Sequence, residues 1–534
     1  MNTKIKNTGL IIGLLFLFTF CDDNIDPLIE ELQVDRVFSP IDLSAKIRNM
    51  VTAELSWDLR DDASSYLLEI SDDSLEFSNI IHTATVAPDD LPYSITLEGE
   101  TQYSARVKGV SESGLADSKW TAIAFKTDPE NIFYSLEDND YDANWVTLKW
   151  PAGSEVDKFI IVPGNTEREI TQEEKDAGTA TITGLTGETE YTIKMMRNTK
   201  QRGAVTFTTL IDVGDATRVY PEDDLGAAIA AAEEGETLVL LPGEYLAYSG
   251  TISLDKSISV KGLYPYDKPI VHVAFELKDA AQTLNLVNLE MNGNYTDTET
   301  GEKSMLSSAI QYGTSDVAFG SLVIQGCYIH NFSKSLISDG GEAFEAASIL
   351  VDDCIVTDIL NDGGDFIDSR KSYFARLTVQ NSTFSNCATV STRDFIRMDG
   401  STKGNTYDDG TRSPEIAVIN CTLHNVMNST SSTKRLFYVR WSQHTIESKN
   451  NLFVDMGVSV YSNQSLTLQP ECSFNNYFNA DGYITAEAGV LTDNSGNYTT
   501  LDPGFTDPAN GVFTVTNQTL LDNQVGDPRW LTGQ

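Results

Sequence analysis

The sequence predicts an all-β chain of 534 residues in which two small sandwiches precede a parallel β-helix. Three patterns predict it. From Ser39 to Asp128, and again over 131–210, short apolar–polar alternations are cut by polar turns at regular intervals, as in antiparallel sandwich strands. From Val323 onward, ten-residue windows align without gaps and recur at intervals that suit one coil of stacked strands each. Between the two regions stands one alanine-rich amphipathic helix, placed where it would plug the open end of such a stack.

In the first sandwich (39–128) the strands are ELSWDL (54–59), SYLLEIS (65–71), YSITL (93–97) and QYSARVKGVS (102–111). In the second (131–210) they are VTLKW (146–150), KFIIV (158–162), TATITGL (179–185) and TEYTIKMMR (189–197). Trp150, Leu185 and Tyr191 repeat the places of Trp57, Leu97 and Tyr103. With Tyr66 in the third strand and Leu97 leading into Thr101 and Tyr103, the first segment resembles a fibronectin type III domain, and the second follows the same plan less closely. That resemblance implies spacer modules whose aromatic residues fill the core.

The third piece spans 216–534. Leu225 to Ala232 reads as the capping helix, Gly235 ends it, and TLVLL (237–241) is a strand closed by the turn Pro242-Gly243. Short strands ISL (252–254) and ISV (258–260) follow, ending at Gly262. This order resembles the N-terminal cap and first rungs of pectate-lyase-like, right-handed parallel β-helices.

The repeat windows are VIQGCYIHNF (323–332), LVDDCIVTDI (350–359), TVQNSTFSNC (378–387), AVINCTLHNV (417–426), ESKNNLFVDM (447–456) and LQPECSFNNY (468–477). Their fifth position reads Cys327, Cys354, Ser382, Cys421, Asn451 and Cys472. The seventh is apolar throughout (Ile329, Val356, Phe384, Leu423, Phe453, Phe474), and the ninth is Asn or Asp (Asn331, Asp358, Asn386, Asn425, Asp455, Asn476). Coils stacked about 4.8 Å apart bring such equivalents into ladders. Small fifth-position residues then fill the interior beside large seventh-position ones, and the Asn/Asp ladder satisfies backbone groups of a turn. Beyond Cys21 there are five cysteines, all between Cys327 and Cys472, an odd number that predicts buried packing rather than a disulfide framework.

The first residues address the chain. Lys4 and Lys6 precede an apolar run from Leu10 to Phe20, too short to span a bilayer but suited to a signal peptide over 1–20. Cys21 ends the run and is followed by Asp22, Asp23 and Asn24. This resembles a bacterial lipobox with the acidic export signal of Bacteroidota surface lipoproteins, although Phe20 stands where a small residue is usual. The resemblance implies lipidation at Cys21, a tether over 21–38, and display on the outer face of the outer membrane. The net charge of −41 repels nucleic acid and anionic membranes, so an acidic ligand would need a local basic groove.

The close of the chain, LDPGFTDPANGVFTVTNQTLLDNQVGDPRW (501–530), and the phrases GGDFIDSR (363–370) and GEYL (243–246) resemble Bacteroidota β-helix proteins of the domains of unknown function 4957 and 5123. These occur in polysaccharide-utilisation systems, notably for pectin-like glycans, which implies a polysaccharide partner and neighbouring glycan-uptake proteins.

No GxSxG, HExxH, P-loop or dinucleotide fingerprint occurs. His82, His272, His330, His424 and His444 are scattered and read as surface or turn residues. Asp138, Asp140 and Asp142 lack the glycine and bidentate glutamate of a calcium loop and read as an acidic turn. No cofactor is expected; calcium would enter only with a lyase.

The candidate site is a second strand of each coil: SLISD (335–339), DFIDSR (365–370), DFIRMD (394–399), FYVRWS (437–442) and VSVYS (458–462). Aligning Ile337, Ile367, Ile396 and Val439 inward turns Asp368, Arg397 and Arg440 outward, since charges cannot line an apolar interior. Phe366, Phe395 and Tyr438 share the outward parity unless the strand is bulged, and Arg370 and Asp399 extend the face. Aromatic faces and guanidinium forks are what an acidic glycan needs, for stacking and for bidentate carboxylate contacts. The expected ligand residues are therefore Phe366, Asp368, Arg370, Phe395, Arg397, Asp399, Tyr438 and Arg440. An alternative for the same residues is a stabilising ladder, with Asp368 facing Arg397 and Arg370 facing Asp399. Two further functions stay open: a polysaccharide lyase, with Arg397, Arg440 or Lys371 meeting the uronate, and a structural or adhesive surface protein.

Overall fold

A computed structural model describes residues 35–531, apart from 113, 215, 280, 297–299, 390–392 and 429–432. The expected signal peptide, Cys21 and most of the tether lie outside the described residues. The chain divides into two units, 1–130 and 131–534.

The first unit is an antiparallel sandwich. Ile41–Arg48, Thr52–Asp58 and Tyr93–Thr96 form one sheet. Ile80–Val86, Ser65–Ser71, Gln102–Val110 and Thr121–Lys126 form the other. Alternation along each strand sends Leu55, Trp57, Tyr66, Leu68, Tyr103 and Val107 into one shared core, where Trp57 meets Tyr66 edge-on at 5.5 Å. The chain joins this sandwich before Ser39: Val37 is buried, and its N–H donates to the Ala116 carbonyl.

The second unit opens with a further sandwich. Trp145–Lys149 pairs Thr179–Thr183, while Thr166–Glu169, Lys158–Val162, Glu190–Arg197 and Lys200–Thr208 form its second sheet. Both sandwiches carry the same corner. The Tyr103 hydroxyl accepts from the Glu98 N–H at 3.1 Å, and the Tyr191 hydroxyl accepts from the Thr186 N–H at 3.0 Å. Thr127 and Thr209 each donate to the carbonyl of that same upstream residue. A tyrosine tied back to the backbone just upstream is a hallmark of immunoglobulin-like sandwiches. Of the acidic run, Asp140 is buried and paired with Lys149 at 2.5 Å, which makes it a turn anchor.

The rest of this unit is built of parallel strands in three stacks. The helix Leu225–Ala231, capped by the Asp224 side chain, buries Leu225 and Ile229 against the start of the common core. The repeats that follow, up to Phe437–Val439, each give one strand to each stack, and the last two described repeats give strands to the first and second stacks. One repeat, for example, runs Glu345–Asp352, Ile355–Thr357 and Ile367–Ser369; the next runs Arg376–Gln380, Thr383–Ser385 and Ile396–Met398. Ile270–Leu277 links two stacks, because one end pairs Glu290–Asn292 and the other pairs Ser308–Tyr312. Buried ladders fill the space between the stacks: Ile324, Val351, Val379 and Val418 in the first, Ile329, Val356, Phe384, Leu423 and Phe453 in the second, and Ile310, Ile337, Ile367, Ile396 and Phe437 in the third.

Two register details and the burial of two histidines differ from expectation. In the last repeat Phe453 pairs with Tyr477, so Asn475, Tyr477 and Asn479 hold the fifth, seventh and ninth places assigned to Cys472, Phe474 and Asn476. In the third stack Ile396 pairs with Phe437, so Tyr438 stands beside Arg397 rather than beside Phe395. The shift is two residues, which preserves inside and outside but moves every neighbour. Finally, His272 and His444 are buried rather than on the surface. The His444 Nε2 accepts from the Leu468 N–H and its Nδ1 faces the Trp441 carbonyl, an arrangement that holds a neutral ring; burial keeps its pKa below the usual histidine value.

The five described cysteines are free and buried. Burial pushes the Cys387 and Cys472 thiols up to about 12, as packing residues require.

Candidate functional site

The expected site residues separate into two groups. Phe366 and Phe395 are fully buried, stacked on each other at 4.4 Å and 9°, with Phe384 edge-on to both. They occupy bends just before their strands, where the chain turns and two consecutive residues point inward. Their expected place on the outer face is therefore corrected: they are core, in a ladder with Leu336 and Leu436. Asp368, Arg370, Arg397, Asp399, Tyr438 and Arg440 do come together on the third stack.

Their neighbours complete a three-by-three array across three repeats. Asp365, Asp368 and Arg370 stand in the first, Asp394, Arg397 and Asp399 in the second, and Arg435, Tyr438 and Arg440 in the third. Arg370 pairs Asp368 at 2.9 Å and Asp365 at 3.1 Å. Arg397 pairs Asp399 at 2.8 Å and Asp365 at 3.3 Å, Arg435 pairs Asp394 at 3.1 Å, and Arg440 pairs Asp399. The Tyr438 ring lies within 4.7 Å of the Arg435 guanidinium, 4.8 Å of Arg440 and 5.3 Å of Arg397. The expected direct pairs of Asp368 with Arg397 and of Arg370 with Asp399 are absent among the described ion pairs. Arg370 and Arg397 instead reach along their own strands or diagonally, because carboxylates two residues away sit on the same face, while Arg435 and Arg440 pair straight across with Asp394 and Asp399.

Four aspartates and four arginines thus compensate one another. Burial raises the pKa of Asp365 and Asp394 above the usual carboxylate range, against the pull of their arginine partners. Burial opposes the charge on Arg397 too, yet the Asp399 hydrogen bonds win and its pKa rises. Asp365 and Asp394 also accept a backbone N–H from the next repeat, at 2.9 Å each, so they pin the stack as well as the charges. Asp339 does the same for the N–H groups of Arg370 and Lys371. Sequence reasoning missed Asp365, Asp394 and Arg435. Their signal was the opening D of the two DFI strings and the R before LFYVR, three residues ahead of positions already chosen.

Exposure decides which groups a ligand can reach. Arg370 keeps 34% of its side chain exposed and Arg435 26%, whereas Arg440 keeps 7%. Lys371 is exposed next to Arg370 and has no ion pair among the described residues, so it adds positive charge to a neutral array.

Comparison with known proteins follows this geometry. Residues 243–387 match the family described as domain of unknown function DUF4957, and residues 416–530 match domain of unknown function DUF5123. Both resemblances read from the sequence therefore hold, and the array spans the stretch from one match into the other. No curated protein matches. Among solved structures, a two-domain fibronectin type III segment of chicken tenascin is 17% identical, covering 32% of this chain and 99% of that one at a TM-score of 0.23. The first three fibronectin domains of chicken CNTN1 are 12% identical over 32% of this chain and 66% of that one, at 0.15. The central fibronectin type III array of RIM-binding protein is 16% identical over 36% and 66%, at 0.14.

Proposed function

We propose that the three stacks wind into a right-handed parallel β-helix and that this helix binds a polysaccharide on the outer face of its third stack. Right-handedness is the rule for strand–crossover–strand connections within a parallel sheet. The observation that carries the binding reading is the array of alternating carboxylates and guanidiniums around the half-buried Tyr438 ring. Preorganised donors and acceptors a few ångströms apart suit the paired hydroxyls of sugars, and the ring offers a stacking face. Lys371, together with the outer N–H groups of Arg370 and Arg435, favours an acidic, pectin-like glycan. In this reading Cys21 carries a lipid, the sandwiches are spacers, and the chain serves a glycan-uptake system at the outer surface of the outer membrane.

The test is affinity electrophoresis of the whole chain through a panel of polyuronates and neutral glycans, with ultraviolet absorbance recorded in parallel. Retardation by a polyuronate is expected, weakened about tenfold in Arg435→Ala with the melting temperature nearly unchanged. Enone absorbance from the wild type would turn the reading into a lyase, and no retardation by any glycan would remove it. The lipid is tested separately: Cys21→Ala should abolish fatty-acid labelling and release the chain from membranes, and unchanged labelling refutes the anchor.

A further inference from the structure

A polar cavity of about 420 Å³ opens at the corner between the first and second stacks, within the ~300–1,000 Å³ usual for small-ligand sites. Its floor is a ladder of left-handed residues. In successive repeats that position is Asn288, Gly326, Asp353, Asn381, Asn420 and Asn450, all with φ between 48° and 62°. Only Gly326 among these six lacks a side chain, and the cavity lies over it, with Asn288 and Asp353 on either side. Two tyrosine rings, each backed by a second ring, form walls. Tyr266, 40% exposed, stacks on Tyr264 at 5.3 Å, and Tyr328 stacks on His330 at 4.3 Å.

The charges around this cavity are satisfied within the chain, save one. Arg529 is held by Asp353 at 2.5 Å and Asp527 at 3.3 Å, and Glu290 meets the His330 Nε2 at 3.1 Å. The Lys268 ammonium donates to the Pro265 carbonyl and, among the described residues, has no carboxylate within ion-pair distance. Burial holds its pKa below the usual lysine value against the pull of the nearby Asp353 carboxylate, so the ammonium is partly desolvated and has no carboxylate in direct contact among the described residues. In a chain of net charge −41, an uncompensated, half-buried cation beside tyrosine rings is a feature the fold itself does not use.

We infer that this cavity binds one carboxylated sugar residue, its carboxylate on Lys268 and its ring face against Tyr266. The inference stands apart from the third-stack array and does not need it. Calorimetric titration of the full chain with trigalacturonate and with the neutral galactose trimer tests it. The acidic trimer should show a binding component that remains when the array is weakened by Arg435→Ala and that Lys268→Met weakens at least about tenfold. Gly326→Asn should also abolish that component while leaving the melting temperature unchanged. Asparagine already holds the left-handed position in neighbouring repeats, and the new Cβ displaces only the Asn288 amide, 2.4 Å away. Binding untouched by both variants overturns the inference, as does equal binding of the neutral trimer or none by the wild type. Binding lost in Arg435→Ala but kept in Lys268→Met would overturn it while upholding the array.

Discussion

Arg397 joins the first two repeats of the array, touching Asp365 and Asp399 while its guanidinium lies near Tyr438. Asp365 and Asp399 are nearly inaccessible to water. Removing one partner from a buried ion pair costs roughly 3–5 kcal/mol, because the other charge is left in a poor medium. Arg397→Ala is therefore expected to lower unfolding stability by about 3 kcal/mol in urea titration, with Arg435→Ala costing less, because it leaves a single carboxylate, Asp394, which keeps its bond to the backbone N–H of residue 435. Equal, small losses would show that Asp365 and Asp399 find water instead. The parity of Asp368 and Arg397 was legible because charge cannot face an apolar interior. The orientation of Phe366 and Phe395 was not, because parity holds only along a straight strand and both lie at bends. Asp365 and Asp394 were hidden for the same reason: beyond the bend, the two-residue period no longer reports which side is out.

At the scale of elements, the corners between strands decide the register. The ninth-position ladder was legible as a run of Asn and Asp, and Asn331, Asp358, Asn386, Asn425 and Asp455 all adopt positive φ, which these side chains tolerate best. Its companion, the Gly326–Asp353–Asn381–Asn420–Asn450 ladder, went unread although its residues stood beside the fifth position in the first five windows. The reading of the last repeat slipped by three because Cys472 imitates the earlier cysteines. The true corner there places Phe474 at φ 54° with its ring 53% exposed. A bulky residue in that conformation costs about 1–2 kcal/mol relative to its ordinary backbone, and an exposed ring returns little. Phe474→Asn, which restores the ladder type, should raise stability by about 1 kcal/mol in denaturant titration. A loss would mean that the ring packs on something that matters more than the strain.

At the scale of the whole molecule, the C-terminal GDPRW segment fastens the end of the chain onto the second stack. The Thr383 hydroxyl donates to Asp527 at 2.6 Å and accepts from the Trp530 indole at 2.7 Å, while the Asp527 N–H donates to Thr422 at 3.0 Å. Leu520, Leu521 and Val525 pack on Leu452 and Val454 next to it, so this segment covers an outer face of the stack. The motif was visible in the sequence but its docking partner was not, since Thr383 and Thr422 lie more than a hundred residues upstream. Asp527 is 1% exposed, and burial raises its pKa to about 6 against the help of Arg529 and Thr383. Unfolded, the same carboxyl titrates near ~3.9. Between those values the native state holds a proton that the unfolded chain has released. Its contribution is thus complete below about pH 4 and is lost as pH rises through about 6, on the order of 3 kcal/mol in all. His424 and His444 act in the opposite sense: burial lowers their pKa, so stability falls as pH drops below ~6.5, where the unfolded chain takes up protons first. Comparing wild type with Asp527→Asn isolates the carboxyl, because the histidine dependence is common to both. In urea titrations at pH 4, 5, 6 and 7, the stability of the wild type relative to Asp527→Asn should fall by about 3 kcal/mol from the lowest pH to the highest. Parallel curves would show that Asp527 ionises as freely in the fold as in the unfolded chain, and that the Arg529 pair outweighs its burial.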